Sequence, residues 1–354
     1  MDEQQILNIA TSYLQAVVFP KSAEIDCDPY ALHNALIGLG KLGLLGLQVP
    51  SSWGGLAASA ETYYNFQQLV ARYSGALAFV QTQHQSAVGM LVQSQNQSLQ
   101  QEYLPYLSNG KILLGVGFSH LRRKGEAVVK AIAVDGGYRL DGNVPWITGF
   151  DIFSEFIVAA TLPDHRAVFG LVPFVNSDRN AGSITFSEVL ALAAMTSTNT
   201  VTATLKNWFL PKDRLVSIKP PGWIYDNDRQ NVLKATALAL GCANASLDIL
   251  QTAYSIKQLA FIERAFSLLQ NEVNSCRNAI DSAQHEFETK LKLRAWAIDL
   301  AVRCAHCAIA VSSGAANYTH HPAQRIYREA LVYSVSGQTT DLMAATLNRL
   351  IDSQ

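Results

Sequence analysis

The chain has 354 residues, a length that suits two or three domains around a large buried core and excludes a small scaffold held by disulfides or metals. Lys plus Arg total 27 against 28 for Asp plus Glu, a formal charge of −1, and no dense Lys/Arg tract offers a stripe for phosphates, so nucleic acid is not an expected partner. Charged residues reach only 16% while apolar residues keep an ordinary 49%, a balance that implies apolar surface covered by another subunit.

The acidic start Met1-Asp2-Glu3 lacks the basic flank and apolar run of a secretory signal. Cys27, Cys242, Cys276, Cys304 and Cys307 form an odd, scattered set rather than a disulfide framework. A cytoplasmic protein with reduced thiols is the expectation. The apolar stretches Leu36–Val49 and Ala235–Ala245 fall short of the ~20 residues of a membrane span, so no membrane association is expected.

From Gln4 to Tyr106 apolar residues recur at helical spacing, as in Leu32-Leu36-Leu39 and Leu99-Tyr103-Leu107, interrupted by the turn Pro50-Ser51-Ser52-Trp53-Gly54-Gly55. Between Ile112 and Val216 the pattern changes to short β-rich runs: Val128–Val134, Tyr138–Leu140, Phe156–Ala160, Ala167–Val172, Ser183–Phe186 and Thr200–Leu205. Asp-Gly-Gly, Asp-Gly-Asn and Pro-Asp separate them, which predicts an antiparallel barrel or sandwich. After Pro220-Pro221-Gly222 the segments Asn231–Thr252, Lys257–Asp281 and Thr289–Ser313 have the length of bundle helices. The expected order is a helical domain over 1–111, a β-barrel over 112–218 and a four-helix bundle over 219–354, an α+β architecture.

Four blocks in this order carry a family resemblance: Leu42-Gly43-Leu44-Leu45-Gly46-Leu47-Gln48-Val49-Pro50 with Trp53-Gly54-Gly55; Tyr103-Leu104-Pro105-Tyr106-Leu107-Ser108-Asn109-Gly110; Trp146-Ile147-Thr148-Gly149; and Pro322-Ala323-Gln324-Arg325-Ile326-Tyr327-Arg328-Glu329-Ala330. With them the chain resembles the acyl-CoA dehydrogenase superfamily, which implies FAD (FMN as the alternative) between the β-domain and the bundle. It also implies a small-molecule substrate such as a CoA thioester, and a homodimer or homotetramer that completes the cofactor site. A flavin ring needs a flat apolar wall and fixed donors. By resemblance, Trp146 and Thr148 lie against the ring, and Phe118-Ser119 reaches its pyrimidine side. At i and i+2 of a strand, Trp146 and Thr148 are expected on one face.

The departures are as informative. The family's Thr-Glu-Pro-Gly-x-Gly-Ser-Asp cradle is replaced by Ser119-His120-Leu121-Arg122-Arg123-Lys124-Gly125, whose cations either meet phosphates of a CoA-like or nucleotide ligand or form a solvated loop. The family Arg that reaches the neighbour's pyrophosphate falls at Gln258, beside Lys257, with Phe261 retained. The Gly-Gly-x-Gly run becomes Ser313-Gly314-Ala315-Ala316, and Thr339 and Asp341 fall where the family approaches the flavin and its adenine.

The catalytic Glu of most members aligns with Gly337, in Ser336-Gly337-Gln338-Thr339, and the alternative position used by a minority is Asn231. Neither residue is a base. Glu329 matches a structural acid that pairs with Arg. His120 is the remaining acid/base candidate near the flavin edge, set against a structural role. Cys304-Ala305-His306-Cys307 is half a metal motif without a second half, so no metal is expected and the two thiols are read as bundle packing. The leading reading is a flavin oxidoreductase lacking the usual Glu base; the alternatives are a reduced-flavin monooxygenase of the same fold and a non-catalytic interaction protein.

Overall fold

The computed structural model describes residues 1–179, 182–282 and 286–352. Six helices build the N-terminal domain: α1 (Glu3–Tyr13), α2 (Ser22–Cys27), α3 (Pro29–Lys41), α4 (Ala60–Tyr73), α5 (Gly75–Val92) and α6 (Gln97–Leu107). Their starts are written in the sequence. The side chains of Asp2, Asp28, Ser59, Ser74 and Asn96 each accept from a first-turn backbone N–H that the helix leaves unpaired. The faces they fix inward put Leu32, Leu36, Leu39, Phe66, Val70 and Leu77 into one apolar core.

Nine strands follow among the described residues: β1 (Leu114–Gly117), β2 (Val129–Val134), β3 (Gly137–Ile147), β4 (Glu155–Thr161), β5 (Ala167–Pro173), β6 (Ser177–Arg179), β7 (Gly182–Phe186), β8 (Val201–Pro211) and β9 (Leu215–Lys219). They pair in the order β6-β7-β8-β3-β2-β4-β5-β9, with β1 beside β4. The sheet is mixed: β1 runs parallel to β4, whereas β3 is antiparallel to β2 and β8. Phe150, Phe156, Phe174 and Phe186 pack ring on ring inside it, with centroids 4.9–6.1 Å apart.

The run Asp141-Gly142-Asn143, read from sequence as a turn, lies inside β3. Gly142 has φ +136°, and a Cβ there would stand 2.1 Å from the Val128 carbonyl oxygen, so glycine permits a bulge in a continuing strand.

The C-terminal helices are α7 (Trp223–Gln230), α8 (Thr236–Lys257), α9 (Ala260–Asp281), α10 (Phe287–Ser312), α11 (Pro322–Val335) and α12 (Thr340–Asp352). The region around α10, Phe287–Asn317, has an 18-residue stretch of mean hydropathy 1.3, long and apolar enough by composition to cross a membrane. Half of that stretch is buried against the rest of the bundle, as Ala297, Leu300, Ala301, Cys304 and Ala308 face inward. Cys304 is buried and Cys307 half-buried, both packed in the bundle.

Polar ties hold the three parts together. Asp26 of α2 accepts from the Met195 N–H at 3.2 Å and from Arg328 Nη2 of α11 at 2.9 Å, while Arg328 Nη1 donates to the Ala193 carbonyl. Glu329 accepts from Arg325 at 2.5 Å and from the Gly75 N–H at 3.0 Å in a fully buried pair, the structural role expected of it. Glu329 Oε2 is buried without a hydrogen-bond partner among the described residues, so this pair adds little net stability.

Candidate active site

The end of β1 and the end of β3 meet. A Cβ on Gly117 would lie 3.1 Å from Ile147 Cγ1, so Phe118-Ser119 and Trp146-Ile147-Thr148 converge at the ends of these two strands. Trp146 keeps 49% of its surface exposed there, whereas Thr148 is buried with Oγ1 3.1 Å from Thr200 Oγ1. The two side chains, expected on one face, are thus unequally buried. The β3–β8 register shifts between Val144 and Ile147 and the strand ends at Ile147, which breaks the period-2 alternation before Thr148. Phe118 packs edge-on against Phe169 and Trp223, with centroids 5.6 and 6.4 Å away, which anchors the turn that begins at Ser119.

His120 is buried beneath that turn. Its Nε2 lies 3.0 Å from the Ala159 carbonyl, and its Nδ1 has no partner among the described residues. Burial pushes its pKa down to about 4, with the Arg123 charge adding to the effect, so the imidazole is neutral at physiological pH. It serves the sheet as a hydrogen-bond donor to β4.

A second group of residues lies on the bundle. Gln258 closes α8 in the left-handed conformation with φ 54°, and its amide donates to the Ser255 carbonyl. Lys257 Nζ donates to the Val311 carbonyl at 2.6 Å, which brings the end of α8 and the start of α9, with exposed Phe261, to the end of α10, where Ser313 and Gly314 are exposed. A Cβ on Gly314 would meet nothing within 4 Å, so a ligand has room to approach the backbone. Thr339 caps α12 by accepting from the Leu342 N–H, and Asp341 is exposed in that first turn.

The sequence-predicted base positions come together around a residue that sequence reasoning missed. Arg294 of α10 donates from Nη1 to the Val232 carbonyl at 3.4 Å, beside Asn231, and from Nη2 to the Ser336 and Gly337 carbonyls at 2.7 and 3.4 Å. One guanidinium thus bridges both places where the family resemblance puts a catalytic Glu. A Cβ on Gly337 would lie 3.2 Å from Arg294 Nη2. Burial lowers the Arg294 pKa to about 10, opposed by the Asp228 charge and assisted by that of Arg122, so it stays cationic.

Of the loop's cations, Arg123 and Lys124 are exposed, as a solvated loop would have them, and Arg122 is half-buried and paired. It makes a bidentate pair with Asp228 of α7, Nε to Oδ2 at 2.7 Å and Nη2 to Oδ1 at 2.8 Å, with both side chains largely covered. The replaced cradle loop is thereby bound to the bundle.

The arrangement offers an uncovered indole and a hydroxyl-bearing turn at the ends of β3 and β1, open backbone on the bundle, and cationic rather than basic chemistry at Gly337. Flavin fits the first two features: Trp146 supplies a free aromatic face and the glycine at 314 leaves room for a close approach.

Residues 1–111 match the family model "Acyl-CoA dehydrogenase, N-terminal domain". The mitochondrial isovaleryl-CoA dehydrogenase of Solanum tuberosum is 22% identical over 98% of this chain and 90% of its own. The glutaryl-coenzyme A dehydrogenase glutaryl-CoA complex superposes with a TM-score of 0.81 at 18% identity, covering 100% of this chain and 98% of that one. KijD3, solved with FMN and a dTDP-linked amino sugar, superposes with a TM-score of 0.76 at 16% identity over 99% of this chain and 94% of its own. The chain therefore has the acyl-CoA dehydrogenase fold over its whole length, its first 111 residues match the acyl-CoA dehydrogenase N-terminal domain model, and the curated relatives it matches include proteins named as acyl-CoA dehydrogenases.

Proposed function

We propose that the chain is a flavin-binding oxidoreductase of acyl-CoA dehydrogenase type that acts without the usual Glu base. The observation that carries this reading is the bridging of Gly337 and the Asn231 region by Arg294 on a fold otherwise continuous with that of the dehydrogenases. FAD, with FMN as the alternative, supplies hydride acceptance when bound. Trp146 covers one face of the ring, the Ser119 turn and Thr148 orient it, and Gln258, Phe261, Ser313, Gly314, Thr339 and Asp341 serve the rest of the cofactor, in part from a second copy of the chain. Gln258 brings no charge to a pyrophosphate, so affinity is reduced relative to an Arg at that place. The substrate is a small molecule, a CoA thioester or a relative of one, and the protein is a cytoplasmic homo-oligomer.

Loss of a positioned general base costs roughly 10²–10⁴-fold in rate. Purified protein is expected to bind added FAD or FMN, with Trp146→Ala weakening it, and the bound flavin is expected to bleach slowly when an acyl-CoA panel is added without oxygen. Absence of flavin binding at saturating concentrations would overturn the reading. Rapid bleaching by simple acyl-CoA would refute the missing base. Oxygen-dependent product formation from enzymatically reduced flavin would establish the monooxygenase alternative, which the same missing carboxylate favours.

A further inference from the structure

A line of three threonine hydroxyls runs inward from the end of β3. Thr148 Oγ1 lies 3.1 Å from Thr200 Oγ1, and Thr200 Oγ1 lies 3.4 Å from Thr198 Oγ1. Thr198 Oγ1 in turn donates to the Met195 carbonyl at 2.8 Å. The exposure of these residues rises from 1% at Thr198 through 3% at Thr200 to 7% at Thr148, so the line opens toward the surface at the Thr148 end. Its inner end is fixed. Met195 and Asn199 hold left-handed backbone, with φ 53° and 44°, Ser197 Oγ donates to the Ile25 carbonyl at 2.6 Å, and Asp26 holds the Met195 N–H. The Gly149 and Phe150 N–H groups donate to the Thr198 and Asn199 carbonyls at 2.8 and 3.1 Å, which sets the outer end against the inner one.

A carbonyl only accepts and a hydroxyl has one hydrogen, so the direction of the line is set from its inner end. Thr198 commits its hydrogen to Met195 and keeps lone pairs for Thr200. Thr200 then gives its hydrogen to Thr198 and accepts that of Thr148. This arrangement uses every hydroxyl hydrogen inside the protein and leaves Thr148 with lone pairs alone to offer outward. The reverse direction, in which Thr200 donates to Thr148, strands the Thr148 hydrogen unless a ligand accepts it. We infer that the line Thr148–Thr200–Thr198 makes Thr148 a hydrogen-bond acceptor toward the bound flavin and thereby favours the reduced cofactor over the oxidised one. The inference deepens the proposed function and rests on it for the placing of Thr148 against the ring. The ring nitrogen N5 accepts a hydrogen bond when the flavin is oxidised and carries a hydrogen when it is reduced. With the line intact the reduced form gains a bond to Thr148, whereas the oxidised form is met only by reversing Thr148 and Thr200 and giving up the bond to Thr198. An isolated threonine would serve both forms equally. Thr198 and Thr200 are thus positioning residues that act through Thr148.

The test is the midpoint potential of flavin bound to the full-length protein, measured without oxygen with FAD and with FMN. Thr200→Val and Thr198→Val each break the line while keeping the shape of the side chain. Each is expected to lower the preference for reduced flavin by about tenfold, the worth of one hydrogen bond, which is a fall of about 30 mV for a two-electron couple. Thr200→Ser keeps the hydroxyl and is expected to keep the potential of the unmodified protein. A role confined to packing would weaken the binding of oxidised and reduced flavin alike and leave the potential where it is. An unchanged or raised potential in either valine variant would overturn the inference, as would a serine variant that behaves like the valine one. If one valine variant fails to fold, the other decides with the serine variant beside it. The two readings fail separately: flavin bound with a potential indifferent to Thr198 and Thr200 sinks the inference alone, and no flavin binding by the unmodified protein sinks the proposed function with it.

Discussion

Gly337 adopts φ +60°, a left-handed conformation that costs an L side chain about 1–2 kcal/mol, and a Cβ there would lie 3.2 Å from the Arg294 guanidinium. Restoring the family residue by Gly337→Glu therefore places a carboxylate beside a cation. The pair lowers the basicity of the new group and engages its lone pairs, so the substitution is expected to leave anaerobic bleaching by butyryl-CoA as slow as before. A gain of about 10²-fold would show that geometry at this position is intact and that Arg294 yields. That Gly337 and Asn231 carry no carboxylate was legible in the sequence, because they stand in recognisable segments. What occupies the place was not. Arg294 reads as one more cation on a long helix, and only the fold brings it against the Val232, Ser336 and Gly337 carbonyls. Trp146 and Thr148 were found by motif, yet their unequal burial follows from a bulge that no alternation rule anticipates.

Among the elements, α5 is tied to β1 by a buried histidine hidden in a Gln-rich stretch. His84 Nδ1 accepts from the Leu114 N–H at 3.1 Å, which leaves Nε2 to donate to the Leu107 carbonyl at 3.2 Å. This requires the neutral ring, and burial pushes the pKa down to about 4 from 6.5. The unfolded chain then takes up a proton near pH 6.5 that the folded chain refuses until about pH 4, so stability is lost as the pH falls through that window, and His120 adds to the loss in the same direction. Each contributes up to about 3 kcal/mol. Urea midpoints measured from pH 7 to pH 4.5 should fall, and His84→Gln, which keeps one donor and one acceptor, should flatten the slope. An unchanged slope in that variant would remove His84 from the account. The elements themselves were largely legible. The runs rich in β-branched and aromatic residues gave β2, β4, β5, β7 and β8, and helical periodicity gave α8 to α10. The failures share a cause: β1 is four residues long with two glycines, and Asp141-Gly142-Asn143 carries turn chemistry that pairing with β2 and β8 overrides.

At the scale of the whole molecule, the apolar residues left in contact with water are concentrated on the bundle. Helix α9 turns Ile262, Leu269, Val273, Cys276 and Ile280 inward, but Phe261 and Leu268, two turns apart on a neighbouring stripe, remain exposed. Ile256 is 77% and Phe261 69% exposed at the junction of α8 and α9, and Leu331, Val335, Leu347, Leu350 and Ile351 on α11 and α12 are exposed as well. Covering such a side chain contributes about 1.5–3 kcal/mol, and a stable interface needs about 1,600 Å² in total, an area that several helices of this kind can supply. The same junction carries Gln258 and Phe261, so a neighbour docked there would bring them to a cofactor held by the other copy. Light scattering at micromolar concentration is expected to give the mass of a dimer or tetramer. Leu268→Asp buries a charge in that contact and should dissociate it, with flavin affinity falling in step because the site loses the part contributed by the partner. A monomeric native protein would exclude this assembly. A Leu268→Asp variant of unchanged mass would move the interface away from α9, and one that dissociates yet keeps its flavin affinity would show that each chain holds the cofactor alone.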